Sequence, residues 1–228
     1  MMPNWCDNHV NLTGDKVDIQ RLEQALTRKR TITNEDKNSW WPILADTDRE
    51  NNCANKFLFG RALDYEDLGC DVPVEEYGYF HAIGYTGCKW DPQFEVDVSG
   101  DSTEMTLNFN SAWSPPLRAM VILGKKYNLD VDHAYEEPGC DFGGRLTYYA
   151  DTNSVYNAQT TYLIWQYLWR EDSFDTIEDL IEFEGGDWWD DERKEQVREE
   201  SKSWPKEEGQ FTKGPFSYEE FLETERRL

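Results

Sequence analysis

Polar and apolar residues alternate in His9-Val10-Asn11-Leu12-Thr13 and the alternation stops at Gly14-Asp15, which predicts a strand and a turn. From Val17 the apolar positions move to Ile19, Leu22, Ala25 and Leu26, close to a helical stripe, with Asp15 as its cap. Arg28-Lys29-Arg30 then places cations at the end of the helix that its dipole favours. The period of two returns at Phe94, Val96 and Val98, and again at Met105, Leu107 and Phe109, around the turn Gly100-Asp101-Ser102. This pair predicts a β-hairpin. Ser114, as a cap, and Pro115-Pro116, tolerated in a first turn, open a helix over 117–127 that Asn128 ends. Residues 129–135 alternate once more, and 142–149 read as a strand after the Pro138-Gly139 turn. The resulting order β-α-β-β-α-β is the split βαβ arrangement, an antiparallel sheet with two helices on one face. A meander sheet with an extra helix from the insertion is the competing layout.

Two regions break the pattern. Residues 31–82, with the apolar knot Trp40-Trp41-Pro42-Ile43-Leu44 and a short helix expected near 58–68, read as an insertion after the first helix. Beyond Asp151 the composition shifts, so the chain divides into a domain at 1–152 and an acidic, aromatic-rich extension at 153–228. Tyr162 to Trp169 is a strand or a buried helix; eight residues are too few to decide. Phe174, Ile177, Leu180, Ile181 and Phe183 predict an amphipathic helix that docks on the body, ended by Gly185-Gly186. A charged helix is expected over 190–202, and Ser217 with Glu220 forms a capping box for a terminal helix.

Charge changes the picture most. The 228 residues carry 23 basic and 46 acidic side chains, a net charge of −23, and residues 170–228 alone hold 20 acidic and 9 basic. Such a field repels nucleic acid and anionic membranes, so direct nucleic-acid binding and a membrane location are not expected. The start shows neither a basic n-region nor an apolar run, and the five cysteines contain no CxxC, which together suggest a reducing, cytoplasmic setting. Aromatics at 14 %, with ten tryptophans, exclude a disordered chain.

Candidate chemistry is sparse. Cys6-x-x-His9 has metal-like spacing, but a structural zinc needs a second pair of ligands, from His81, Cys88, His133 or Cys140. The plain reading, a buried Cys6 and no metal or other cofactor, is preferred. Lys89, Asp91, Ser114, Glu136 and Asp141 fall at element ends where an acid–base pocket could form, yet no nucleophile elbow, P-loop or HExxH accompanies them, so no catalytic residue is assigned. Trp5, Trp90 and Trp113 read as core. Trp188-Trp189 differ: neighbours on a helix lie about 100° apart, so both indoles cannot point inward. They sit among Asp187, Asp190, Asp191 and Glu192. Carboxylates that imitate phosphates around an exposed indole suit a basic groove on a partner protein.

Four motifs in order resemble one family. Met2-Pro3-Asn4-Trp5-Cys6-Asp7-Asn8 is similar to the opening of the YubB/Api92-like proteins. Gly87-Cys88-Lys89-Trp90-Asp91, Ala112-Trp113-Ser114-Pro115-Pro116, and Glu136-Glu137-Pro138-Gly139 with Phe142-Gly143-Gly144 resemble three further elements, with Cys88 where a small hydroxyl residue is expected. The resemblance covers about 2–26 and 80–150. It implies a ferredoxin-like domain of phage or plasmid origin and no reaction. The combined expectation is an α+β, ferredoxin-like, non-enzymatic accessory protein. It would bind and inhibit a host protein with a basic surface, such as a defence nuclease, as a nucleic-acid mimic through residues 187–192. A small-molecule or nucleotide-signal binder, or an enzyme, using a pocket on the sheet is the alternative.

Overall fold

In the computed structural model, residues 4–27, 62–63, 67, 86–88, 92–169, 174–204 and 212–225 are described. The first alternation becomes β1 (Trp5–Thr13), in which Cys6, Asn8, Val10 and Leu12 are buried and the residues between them exposed. Helix α1 (Lys16–Thr27) follows and buries Ile19, Leu22 and Leu26. The hairpin is β2 (Phe94–Val98) and β3 (Glu104–Ala112), then come α2 (Leu117–Tyr127) and β4 (Asp130–Glu137). Most of the insertion at 31–82 lies outside the described residues, as do Arg28-Lys29-Arg30.

The next strands are β5 (Phe142–Tyr149), β6 (Ser154–Thr160) and β7 (Thr212–Ser217). All seven pair antiparallel in the order β2-β3-β1-β4-β5-β6-β7. β3 therefore lies between β1 and β2. The compositional boundary at 152 is no break in this sheet, because β6 and β7 extend it on the β4 side.

One face of the sheet packs on α1 and α2 in a single apolar core. Leu117 to Gly124 are all buried, since α2 lies between the sheet, α1 and the C-terminal helix α6 (Tyr218–Glu225). Each large aliphatic side chain buried there contributes roughly 1.5–3 kcal/mol. Asn128, at φ 56°, closes α2 as its sequence position predicts. The predicted Ser114 cap does not form. Pro116 precedes the helix with no side-chain cap, and Ser114 Oγ donates instead to the Gly87 carbonyl at 2.5 Å. The Ser217–Glu220 capping box does form, and it starts α6. Arg118 Nη1 holds the end of α6 through the Leu222 carbonyl at 2.9 Å, while Phe221 is buried beneath it.

The ambiguous segment is a helix, α3 (Tyr162–Trp169), and it covers the other face of the sheet. Trp165 lies against Gly143 of β5, and its Nε1 donates to Glu136 of β4 at 2.9 Å. Among the described residues no helix is long and apolar enough to cross a membrane.

Candidate partner-binding surface

The acidic unit begins with a Thr176–Asp179 capping box that starts the short helix α4 (Ile177–Leu180). Leu180 and Ile181 are buried, so α4 is anchored, and the chain then widens into a π-type turn over Ile181–Gly185. That turn corrects one expectation. Phe183, assigned by its spacing to the docking face, is 64 % exposed. The widened turn shifts the register after Leu180 and rotates Phe183 outward, beside Phe174 at 5.2 Å between ring centroids.

The two adjacent indoles separate into different roles. Trp189 lies over Gly185, where a β-carbon would come within 3.0 Å of the ring, and Arg193 covers it at 5.6 Å. Trp188 is 94 % exposed. Asp190 is an N-cap: its carboxylate accepts from the Arg193 amide at 2.8 Å and starts α5 (Asp191–Ser201). Asp187, Asp191 and Glu192 are exposed. Helix α5 is fixed to α4 by the buried Val197 and by Arg198, which grips both oxygens of Glu178 at 2.8 Å each. This pairing holds the Glu178 carboxyl below its ordinary range. Of the six residues expected to meet a partner, four are thus displayed and two support the display. Phe183 is the residue that sequence reasoning missed.

The motif residues mostly build a corner of the fold. Asn4 Nδ2 donates to Cys140 Sγ at 3.1 Å, and its carbonyl accepts from Trp113 N. Asn8 Nδ2 donates to the Cys6 carbonyl at 2.7 Å and to Ser111 Oγ at 2.9 Å. Pro115 and Pro116 are buried. Trp5 and Trp113 are not core residues as expected: they are 49 % and 43 % exposed, Trp5 on the face of β1 opposite the buried Cys6, and Trp113 just past the end of β3, where the chain turns at φ 78°. Lys89, Trp90 and Asp91 lie outside the described residues, as does His81.

The metal-like pair does not converge. Three residues apart on one strand, Cys6 faces the core and His9 the opposite side, where its Nδ1 lies 2.6 Å from Asn108 Oδ1. Burial pushes the Cys6 thiol far above its ordinary value and keeps it protonated. Among the described residues no group of three or more His, Cys, Asp or Glu is arranged to hold a metal. The candidate acid–base residues are also engaged separately. Ser114 bonds Gly87, Glu136 accepts from Trp165 and Gln166, and Asp141 accepts from the Tyr162 amide at the start of α3.

An antiparallel sheet with helices α1 and α2 on one face is a ferredoxin-like α+β domain. Residues 87–163 match the family model described as the ferredoxin-like domain in Api92-like protein, and over that stretch the chain is similar to the Api92-like proteins. The crystal structure of a protein api92 from Yersinia pseudotuberculosis is similar, with a TM-score of 0.42 and 11 % identity, over 65 % of this chain and 95 % of that one. No curated protein matches the sequence.

Proposed function

We propose that this chain is a non-enzymatic accessory protein of phage or plasmid type. In this reading a ferredoxin-like split βαβ core carries an acidic extension that binds and inhibits a host protein in the cytoplasm by imitating nucleic acid. The observation that carries the reading is Trp188, 94 % exposed on a fixed acidic base. An indole in water gains on desolvation, and its setting says against what. Asp187, Asp191 and Glu192 flank it, and the exposed Phe183 precedes it on the same unit. A basic groove satisfies both the carboxylates and, through cation–π contact, the rings. Because α4 and α5 are locked by Arg198 and Glu178, the surface is ordered before binding, which avoids an ordering cost of about 2–5 kcal/mol.

The test is a variant combining Trp188→Ala, Asp187→Lys and Glu192→Lys. Asp190 is left intact because its loss would remove a helix cap, a change of about 1 kcal/mol in stability. Parent and variant are used to capture proteins from host lysate at low and high salt. The expected result is a basic protein retained by the parent, inhibited by it, and lost with the variant. Trp188→Ala alone should speed dissociation at least tenfold, whereas the charge reversals should slow association, most visibly at low salt. Equal capture and equal inhibition by parent and variant would reject the reading.

A further inference from the structure

The buried row of β4 runs Val131, His133, Tyr135 and Glu137, so a carboxylate ends a line of uncharged side chains, and it is 3 % exposed. Its Oε1 accepts from the Gly139 amide at 3.1 Å and starts the short turn Pro138–Cys140. Its Oε2 is buried with no hydrogen-bond partner. Burying a carboxylate oxygen without a donor is costly, and such a group calls for a role that repays it. The group this carboxylate meets is the thiol of Cys140 at the end of the turn. Glu137 lies within hydrogen-bonding reach of that thiol, which is exposed to solvent, and Asn4 Nδ2 donates to the same sulfur at 3.1 Å. Gly139 leaves room for the convergence: a β-carbon there would stand 3.0 Å from Glu137 Oε1 and 3.3 Å from Asn4 Nδ2.

We propose that Cys140 is a peroxide-reactive thiol and that Glu137 shuttles the proton of its oxidation. The site is separate from the acidic surface and does not depend on it. A hydroperoxide is the reagent this pair suits. The attacking thiol has to lose a proton and the departing oxygen has to gain one, and one free carboxylate oxygen beside the sulfur serves both needs. As the sulfur attacks a peroxide oxygen, the thiol proton passes to Glu137 Oε2. The S–O bond forms, the O–O bond breaks, and the departing oxygen takes the proton from Glu137 and leaves as water. Sulfur gives two electrons to the peroxide, Cys140 becomes a sulfenic acid, and Glu137 ends as the carboxylate it was. Asn4 Nδ2 steadies the charge that builds on sulfur during the attack. At rest the Glu137 carboxylate holds the Cys140 thiol above its ordinary pKa, against the smaller opposing effect of Asn4. Without transfer of its proton to Glu137, this thiol would therefore react more slowly than an ordinary cysteine.

The experiment uses the full chain with hydrogen peroxide as probe. Sulfenic acid is trapped with dimedone and each cysteine is read by mass spectrometry. Cys140 of the folded parent should oxidise about tenfold faster than Cys140 of the same chain unfolded in urea. Glu137→Gln keeps an acceptor for the Gly139 amide. It should slow the oxidation about tenfold and yet speed alkylation of Cys140 by iodoacetamide, since the thiol ionises more easily once the carboxylate is gone. Iodide leaves without a proton, so the two reagents part company only where Glu137 delivers one. Continued protection of the buried Cys6 and Cys88 from alkylation reports that the variant is folded. If oxidation and alkylation both speed up in the variant, Glu137 does no more than suppress the thiolate and the proposal is wrong. If Cys140 of the parent oxidises no faster folded than unfolded, the proposal is wrong without recourse to any variant.

Discussion

Replacing Gly144 with valine is expected to cost about 3 kcal/mol of folding stability or more. Gly144 sits in β5 between β4 and β6, directly opposite Tyr135. A β-carbon there would lie within 3.0 Å of the Ala158 carbonyl and of the Tyr135 hydroxyl. Neither neighbour can yield cheaply. The carbonyl belongs to the paired strand, and Tyr135 is 1 % exposed, wedged against His133 at 5.5 Å and Phe142 at 6.3 Å. Overpacking of this kind typically costs 1–3 kcal/mol, and displacing the Tyr135 hydroxyl from the Ala158 carbonyl adds roughly 1. Gly100, with nothing within 4 Å of a built β-carbon, is the internal comparison; its alanine variant should change stability by less than about 1 kcal/mol. Urea unfolding at unchanged slope measures both. Near-equal midpoints for Gly144→Val and Gly100→Ala would mean that the Tyr135 packing is not as described. The same contact gives a physical reason for the glycines of the Phe142-Gly143-Gly144 motif, since Gly143 likewise makes room for Trp165 on the other face.

Elements with a sustained period were legible in the sequence: β1, α1, the β2–β3 hairpin, α2, β4, β5 and the capped α6. The two strands that joined the sheet unannounced are the ones whose physics hides the signal. In β6 only Val155 and Ala158 are buried, and both faces of the strand carry polar side chains. In β7 the Gly214-Pro215 pair argues against a strand, and a proline is accepted there because β7 lies at the edge of the sheet. Trp5 and Trp113 failed as core residues because bulk alone does not say which face of a strand end a ring occupies, and Cys6, next to Trp5, takes the buried one. The acidic turn was partly legible, since two adjacent indoles force different environments. Which indole is exposed depended on Gly185, which only the folded turn brings under Trp189. The corner of Asn4, Glu137 and Cys140 was not legible as a site. Asn4 and Cys140 stand 136 positions apart in the chain, and only the fold sets them side by side.

Acid should weaken this fold before its depressed carboxyls begin to titrate, and His133 is the cause. His133 is fully buried, between the rings of Phe109 at 6.2 Å and Tyr135 at 5.5 Å. Asn8 uses its amide group as a donor to Cys6 and Ser111, so its Oδ1 accepts from His133 Nε2 at 2.9 Å. That leaves Nδ1 as the unprotonated nitrogen, buried with no partner. A proton arriving there would create a buried imidazolium whose Nδ1 has no acceptor among the described residues. Burial first, and the nearby His9 second, push the His133 pKa down from 6.5 to about 3. The sign follows from proton counting. Above pH 6.5 neither state binds the proton; between 6.5 and about 3 the unfolded chain binds it and the native one does not, so stability falls as the pH falls. The slope approaches about 1.4 kcal/mol per pH unit, several kcal/mol over the whole window. The Glu178 and Glu220 carboxyls, held low by Arg198 and Ser217, add losses of the same sign only below 4.5, and Glu225, raised by burial, opposes them. From pH 6.5 to about 5 the two depressed carboxyls are silent and the Glu225 contribution is common to the parent and a His133 variant, so the difference between them reports histidine. A His133→Gln variant keeps an amide donor for Asn8 and carries no titrating ring. Denaturant unfolding across this interval should show a falling stability for the parent and a flatter line for the variant, whatever the variant loses at pH 7. Parallel lines would show that His133 takes up its proton in the folded state and that the pocket around Nδ1 is not closed to solvent.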